Sequence, residues 1–80
     1  MFYVYILQSE RDPVRFYVGF TTDLKERLHR HNTGAEVTTS PFKPWILAWY
    51  SAFPEKSKAL AFERYLKSGS GHAFRTRHLI

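Results

Sequence analysis

Five side chains in this sequence could form a reactive site if the fold brings them together. They are two tyrosines, an arginine, a histidine and a glutamate, namely Tyr5, Tyr17, Arg27, His31 and Glu63. A phenolate or an imidazole can accept a proton, a guanidinium can neutralise an oxyanion, and a carboxylate can hold a hard cation. Hydrolysis of a phosphodiester needs groups of these kinds, and the elements that carry them decide whether they can act together.

The two tyrosines lie in segments with the alternation of β-strands. Residues 2–8 alternate two sets of apolar and aromatic side chains, and residues 15–19 resume the pattern after a polar stretch that includes Pro13. The pair predicts a β-hairpin with a longer loop. If Tyr5 and Tyr17 share a face, their hydroxyls converge. Gly19 is expected to end the second strand.

A helix is predicted next, with signals at both ends. Thr21-Thr22-Asp23 supplies N-cap candidates, and Asp23 stands three residues before Glu26, as in a capping box. Asn32-Thr33-Gly34 is typical of a C-terminus, because glycine accepts the left-handed conformation that often ends a helix. The helix is therefore expected to run to about Asn32.

This helix would place two functional groups beside the core. Leu24 and Leu28 mark its buried stripe, and Arg27 and His31 lie along the edge of that stripe. From such an edge, long or polar side chains ordinarily reach toward solvent. Arg27 and His31 can therefore be read either as surface groups or as members of a site.

A polar connection and an apolar strand follow. Residues 35–44 include Thr38-Thr39-Ser40 followed by two prolines, which argues for an ordered loop, and the Thr39 hydroxyl could contact a phosphate. Residues 45–53 are almost continuously apolar, which predicts a central strand covered on both faces.

The last third of the sequence predicts two helices. In the first, from Ser57 to about Lys67, Glu63 falls between core positions on the helical wheel, so its carboxylate should face the core or a cleft. It could be a metal ligand, or it could pair with Arg27 or another cation. Residues 68–71 should break this helix, and residues 72–78 can form a short closing helix. Its expected packing residues are Ala73, Phe74 and Leu79.

Charge and composition narrow the class of protein. The net charge is +5, and no acid follows Glu63, which leaves Lys67, Arg75 and Arg77 as candidate contacts for nucleic acid. A solvated basic face is the alternative. No cysteine is present, so disulfides and thiolate metal sites are excluded. One domain over residues 1–80 is expected, with no membrane span or leader and a cytoplasmic location.

The order of these motifs resembles the GIY-YIG nuclease family, most closely its small stand-alone members. The resemblance rests on Tyr3-Val4-Tyr5, Tyr17-Val18-Gly19, Arg27 with His31, and Glu63, and it covers nearly the whole chain. Residues 63–71 also resemble that subgroup. The resemblance implies an α+β fold, with a three-stranded antiparallel sheet flanked by helices in the order β-β-α-β-α-α.

The resemblance also implies a site and a reaction. One divalent ion, magnesium or manganese, would be bound by Glu63 and would assist phosphodiester hydrolysis. Gly19 would shape a turn. The remaining roles implied are paired tyrosines for Tyr5 and Tyr17, phosphate binding for Arg27, and active-site assistance for His31.

The expected activity is endonucleolytic cleavage of DNA with low intrinsic sequence specificity, in DNA repair or processing. Branched, nicked or single-stranded DNA is the expected substrate, and a monomer or weak dimer, with a protein partner for targeting, is the expected state. Because no asparagine follows Glu63, a weak or inactive nucleic-acid-binding module of the same fold is the alternative. A protein-interaction adaptor is a third class.

Overall fold

The chain forms one antiparallel sheet with helices on both faces. A computed structural model describes residues 1–80. The elements in chain order are β1 (Phe2–Ser9), β2 (Phe16–Thr21), α1 (Leu24–Thr33), a 3₁₀ turn (Ser40–Phe42), β3 (Trp45–Phe53), α2 (Lys56–Lys67) and α3 (Gly69–His78). The strand order is β2-β1-β3. The predicted α+β class and the element order β-β-α-β-α-α are confirmed.

The central strand is β1, and the prediction of a central β3 is wrong. Residues 4–7 of β1 are all buried, because β1 pairs with both neighbours and is covered on both faces. β3 pairs only with β1, and Ile46, Leu47 and Tyr50 remain exposed despite their apolar character. Which strand lies at the centre depends on its pairing partners, and the apolar run of β3 carries no information about those.

The sheet separates two apolar clusters. On one face, Val4, Ile6 and Val18 pack with Ala59 and Leu66 of α2. On the other face, the buried members are Tyr5, Leu7 and Trp45, and the side chains packed against them are Tyr17, Leu24, Leu28 and Phe42. The two tyrosines therefore share the face that α1 covers, as the alternation predicts, whereas α2 packs on the opposite face.

The ends of α1 follow the local signals. The Asp23 carboxylate accepts the Glu26 N–H at 3.1 Å, and Gly34 ends the helix with φ of 84° while its N–H is donated to the Arg30 carbonyl. This capping satisfies backbone groups that a helix end leaves without partners. The predicted N-cap and C-terminal stop are confirmed.

The last helix begins earlier than predicted. The Ser68 hydroxyl accepts the Gly71 N–H at 3.1 Å, so α3 starts at Gly69 and the glycines lie in its first turn. Ala73 and Phe74 are exposed, and of the three expected packing residues only Leu79 reaches the core cluster.

None of the helices is both long and apolar enough to cross a lipid bilayer.

Candidate active site

The centre of the candidate site is a buried pair formed by Tyr5 and His31. Tyr5 is 2% exposed and His31 is 1% exposed, and the Tyr5 hydroxyl lies 3.0 Å from His31 Nε2. The Tyr17 ring lies 5.0 Å from the His31 ring and 6.4 Å from the Tyr5 ring, between centroids. The structure thus brings these three predicted residues together. His31 is a fully buried member of the cluster, and the alternative of a solvent-directed side chain does not apply to it.

Gly19 makes room for this pair. It lies inside β2 directly opposite Tyr5, and its φ is not positive, so the prediction that it ends the strand and shapes a turn is wrong. A Cβ atom at this position would lie 2.4 Å from both the Cζ and hydroxyl oxygen of Tyr5. Glycine is needed because the phenol lies against the backbone of the neighbouring strand.

The surroundings of Tyr5 keep its phenol protonated. Burial raises the pKa of Tyr5 far above its usual value of about 10, and the neighbouring Tyr17 raises it further, whereas the Arg27 guanidinium acts in the opposite direction. At neutral pH the Tyr5 hydroxyl therefore retains its proton, and the imidazole nitrogen of His31 lies within hydrogen-bonding distance.

Arg27 brings an unpaired positive charge to the same place. It is half-buried on α1, forms no salt bridge, and its Nε atom is buried without a hydrogen-bond partner. Its charge also lowers the pKa of His31, for which burial is the largest cause of the shift. A guanidinium without an anionic partner beside the tyrosine pair is suited to neutralise a phosphate.

Glu63 lies on α2, which packs on the opposite face of the sheet from the Tyr5–His31 pair. Its side chain is 20% exposed, and its Oε2 accepts a hydrogen bond from Lys67 Nζ at 3.1 Å. The same ammonium lies 6.0 Å from the centre of the Tyr17 ring. The Lys67 ammonium therefore links Glu63 to the edge of the tyrosine cluster, and no hydrogen bond or salt bridge joins Glu63 to Tyr5, Arg27 or His31. The cation that pairs with Glu63 is Lys67, and Arg27 is not its partner.

The donor set around Glu63 fits a hydrated hard cation. No group of three or more histidine, aspartate or glutamate side chains is arranged to hold a metal ion. Magnesium commonly binds through one or two carboxylates and keeps several waters, so a single partly exposed glutamate suits it better than it suits zinc. Lys67 already occupies one carboxylate oxygen, and a bound cation would compete with its ammonium.

Besides Arg27, four residues are expected to contact nucleic acid, and they lie in different environments. Thr39 is 2% exposed, and its hydroxyl lies 2.7 Å from His31 Nδ1, so the expected phosphate contact does not fit its position. Lys67 lies over Tyr17, as described above. Arg75 is half-buried and Arg77 is exposed on α3. No local pattern indicates that Thr39 folds inward, because a threonine in a polar loop is ordinarily solvated.

A groove of about 340 Å³ begins beside Tyr17. Its walls include Tyr17, Arg15, His72 and Arg75, and none of its lining residues is acidic. Burial lowers the pKa of the Arg75 guanidinium, whose Nε and Nη1 atoms lack hydrogen-bond partners. The groove therefore carries positive charge in its walls and includes Tyr17 of the tyrosine cluster.

Comparison with known proteins assigns the family. A family model described as the GIY-YIG catalytic domain matches residues 1–76. The chain belongs to the GIY-YIG family. This GIY-YIG domain is 41% identical to the structure-specific endonuclease subunit SLX1 of Scheffersomyces stipitis and 38% identical to that of Debaryomyces hansenii, with 95% of the chain covered in each case. It is also 35% identical to a UPF0213 protein of Streptococcus pyogenes over 81% of the chain and 70% of that relative.

The lengths of these relatives differ from that of the GIY-YIG domain. The matched region makes up 24% and 23% of the two SLX1 proteins, so the chain spans about a quarter of their length. The family assignment therefore identifies a GIY-YIG catalytic domain.

Proposed function

We propose that this GIY-YIG domain is a divalent-metal-dependent endonuclease that hydrolyses DNA phosphodiester bonds with little sequence preference, in DNA repair or processing. The observation that carries the proposal is the buried Tyr5–His31 pair beside the unpaired Arg27 guanidinium. Branched, nicked or single-stranded DNA is the substrate class we favour. The name of the SLX1 relatives, structure-specific endonuclease subunit, supports that choice.

Tyr5 and His31 would supply the base. Tyr5 is the one of the paired tyrosines whose hydroxyl has a side-chain hydrogen-bond partner, His31 Nε2. As water attacks phosphorus, its proton passes to Tyr5 Oη while the Tyr5 proton passes to His31 Nε2. The water oxygen then bonds to phosphorus, the bridging P–O bond breaks, and the leaving oxygen takes a proton from solvent.

The remaining groups would hold charge and position. Arg27 would neutralise the non-bridging phosphate oxygens, because its guanidinium has no carboxylate partner. Tyr17, half-buried and part of the groove wall, would help to position the substrate beside the Tyr5–His31 pair. Glu63 would bind one magnesium or manganese ion, which when bound supplies Lewis-acid stabilisation of the developing charge.

Cleavage assays test the assignment. Wild type, Glu63→Gln and Arg27→Ala are incubated with branched, nicked, single-stranded and intact duplex DNA in magnesium or manganese, with folding checked by circular dichroism. We expect at least a 100-fold loss of rate in both variants. Glu55→Gln is the matched control, since Glu55 lies beside the same helix in an exposed ion pair with Lys58. Undiminished cleavage by Glu63→Gln and Arg27→Ala would refute the site.

A binding module without turnover is the second candidate function. It is favoured by the Lys67 ammonium on Glu63, which occupies an oxygen that a metal would use, and by the absence of an asparagine after Glu63. Such a module would bind DNA with an affinity that falls steeply with salt. Multiple-turnover cleavage that depends on Glu63 would exclude it.

A further inference from the structure

Both ring nitrogens of His31 are bonded, and the second partner is a residue outside the family motif. Nε2 faces the Tyr5 hydroxyl, and Nδ1 lies 2.7 Å from Thr39 Oγ1. Thr39 is buried in the loop between α1 and β3. In a neutral histidine one ring nitrogen donates and the other accepts, so the partner of one nitrogen decides the role of the other.

The hydrogen-bond partners on the two sides favour the same tautomer. The Thr39 hydroxyl can donate to the Glu36 carbonyl at 3.5 Å, which leaves its oxygen free to accept the proton of His31 Nδ1. On the other side, Tyr5 is next to Arg27, whose guanidinium has only donors, so the Tyr5 proton can be donated to His31. The proton of the imidazole then lies on Nδ1, and the lone pair of Nε2 faces Tyr5.

The position of Thr39 is itself fixed. The Trp45 indole N–H is donated to the Thr39 carbonyl at 2.9 Å. Trp45 is tied to α1 in turn, because its backbone N–H is donated to Asn32 Oδ1 at 2.6 Å and its carbonyl accepts Asn32 Nδ2 at 3.0 Å. These bonds hold the loop against the residue that follows His31, so Thr39 cannot drift from the imidazole without breaking several buried hydrogen bonds.

We propose that Thr39 is a positioning residue that holds His31 in the tautomer protonated at Nδ1, so that Nε2 can accept the proton of Tyr5. Without the threonine oxygen, Nδ1–H would be a buried donor without a partner. The other tautomer, protonated at Nε2, would then donate to the Tyr5 oxygen and could not accept its proton. The catalytic consequence rests on the proposed function, whereas the tautomer itself does not.

The tautomer matters only while His31 is neutral. Burial is the largest influence and lowers the pKa of His31; the charged groups act in both directions. Arg27 and Arg30 on α1 lower the pKa, and Glu36 in the loop raises it. The groups on the sheet that face the imidazole are the phenols Tyr5 and Tyr17. The net lowering keeps His31 neutral at neutral pH.

Nitrogen NMR of the full chain tests the tautomer without any cleavage assay. The protein is labelled with ¹⁵N-histidine, and the His31 signals are assigned by difference from a His31→Gln variant. At neutral pH we expect the Nδ1 shift of a protonated nitrogen and the Nε2 shift of an unprotonated one. The pattern should persist in Thr39→Ser, which keeps the hydroxyl, and mix or reverse in Thr39→Val. The Nε2-protonated form in wild type, or an unchanged pattern in Thr39→Val, would overturn the proposal.

Cleavage kinetics test the consequence. Thr39→Val should lower kcat about 100-fold, within the range that a positioned acid–base group contributes, with little change in KM, and Thr39→Ser should restore most of the rate. Thr33→Val is the matched control, because this exposed threonine bonds only within its own helix. Equal losses in Thr39→Val and Thr39→Ser would contradict a role for the hydroxyl. If neither wild type nor any variant cleaves DNA, the proposed function is wrong. The NMR result then still decides the role of Thr39.

Discussion

Substitution of Gly19 by alanine should damage the fold and the site through one steric contact. The new Cβ would lie 2.4 Å from Cζ and the hydroxyl oxygen of Tyr5 and 2.9 Å from Cε1. Optimal carbon contacts lie at about 3.5–4.0 Å, so the ring must move by roughly 1 Å. Tyr5 is enclosed and hydrogen-bonded to His31, and such a movement disrupts that bond.

The loss of stability caused by Gly19→Ala has three contributions. Overpacking a core costs about 1–3 kcal/mol, and a weakened buried hydrogen bond adds about 1 kcal/mol. Gly19 does not have a positive φ, so its backbone conformation is open to alanine. At such a position alanine stabilises the fold by about 0.4–1 kcal/mol, because it reduces the conformational entropy of the unfolded chain. We therefore expect Gly19→Ala to lower the free energy of unfolding by roughly 1–3.5 kcal/mol.

Urea unfolding of a double-mutant cycle provides the assay. In a Tyr5→Leu background the ring is absent, and the cost of Gly19→Ala should fall by about 1 kcal/mol or more, because the two positions are in contact. Gly69→Ala is the matched control: it lies in a helix with no atom within 4 Å of a new Cβ, so its stability should be unchanged or slightly higher. A Gly19→Ala protein as stable as wild type, or a cost that is the same in both backgrounds, would refute the steric explanation.

Three further predictions concern pH, metal and DNA. The pKa of His31 is lower in the folded than in the unfolded protein, so the unfolded state binds more protons below about pH 6.5. The free energy of unfolding should therefore fall as the pH decreases from that value. In urea unfolding at acid pH, a His31→Gln variant should lose this part of the pH dependence. Lys67→Met removes the ammonium from the carboxylate of Glu63, so half-maximal cleavage should need less magnesium in a metal titration; an unchanged or higher requirement would argue against competition. Arg75→Gln, in the groove, should weaken DNA binding and reduce the slope of log affinity against log salt concentration by about 1, and Arg77→Gln, at an exposed position, should weaken binding less. Binding is measured in a Glu63→Gln background. Equal losses of affinity in the two variants would show that DNA does not bind in the groove.

Local patterns predicted the elements that the site needs. The Asp23 cap and the Gly34 stop depend on hydrogen bonds and backbone preferences within a few residues, so the bounds of α1 follow closely from the sequence. Alternation placed Tyr5 and Tyr17 on one face, because a strand's side chains point to alternate sides whatever it pairs with. α3 was predicted less well, since two glycines in its first turn obscured the Ser68 cap.

Features that depend on neighbours from distant parts of the chain could not be predicted in this way. The apolar run of β3 suggested a central strand, but pairing placed it at the edge. The sequence predicts a phosphate contact for the Thr39 hydroxyl, but the indole of Trp45 and the imidazole of His31 give its polar atoms partners inside the protein. A polar residue can be buried when such partners exist, and its own sequence context does not reveal them.

The family, the element order and the types of group available for chemistry can be read from the residues alone. They follow from residue identity and from periodicities of two and 3.6 residues, which are local properties. The burial of the Tyr5–His31 pair, the space that Gly19 leaves for the phenol, and the contacts of Lys67 with Glu63 and Tyr17 come from the tertiary structure. Each of these depends on the distance between atoms of separate elements, and that distance is set by how the strands pair and the helices pack.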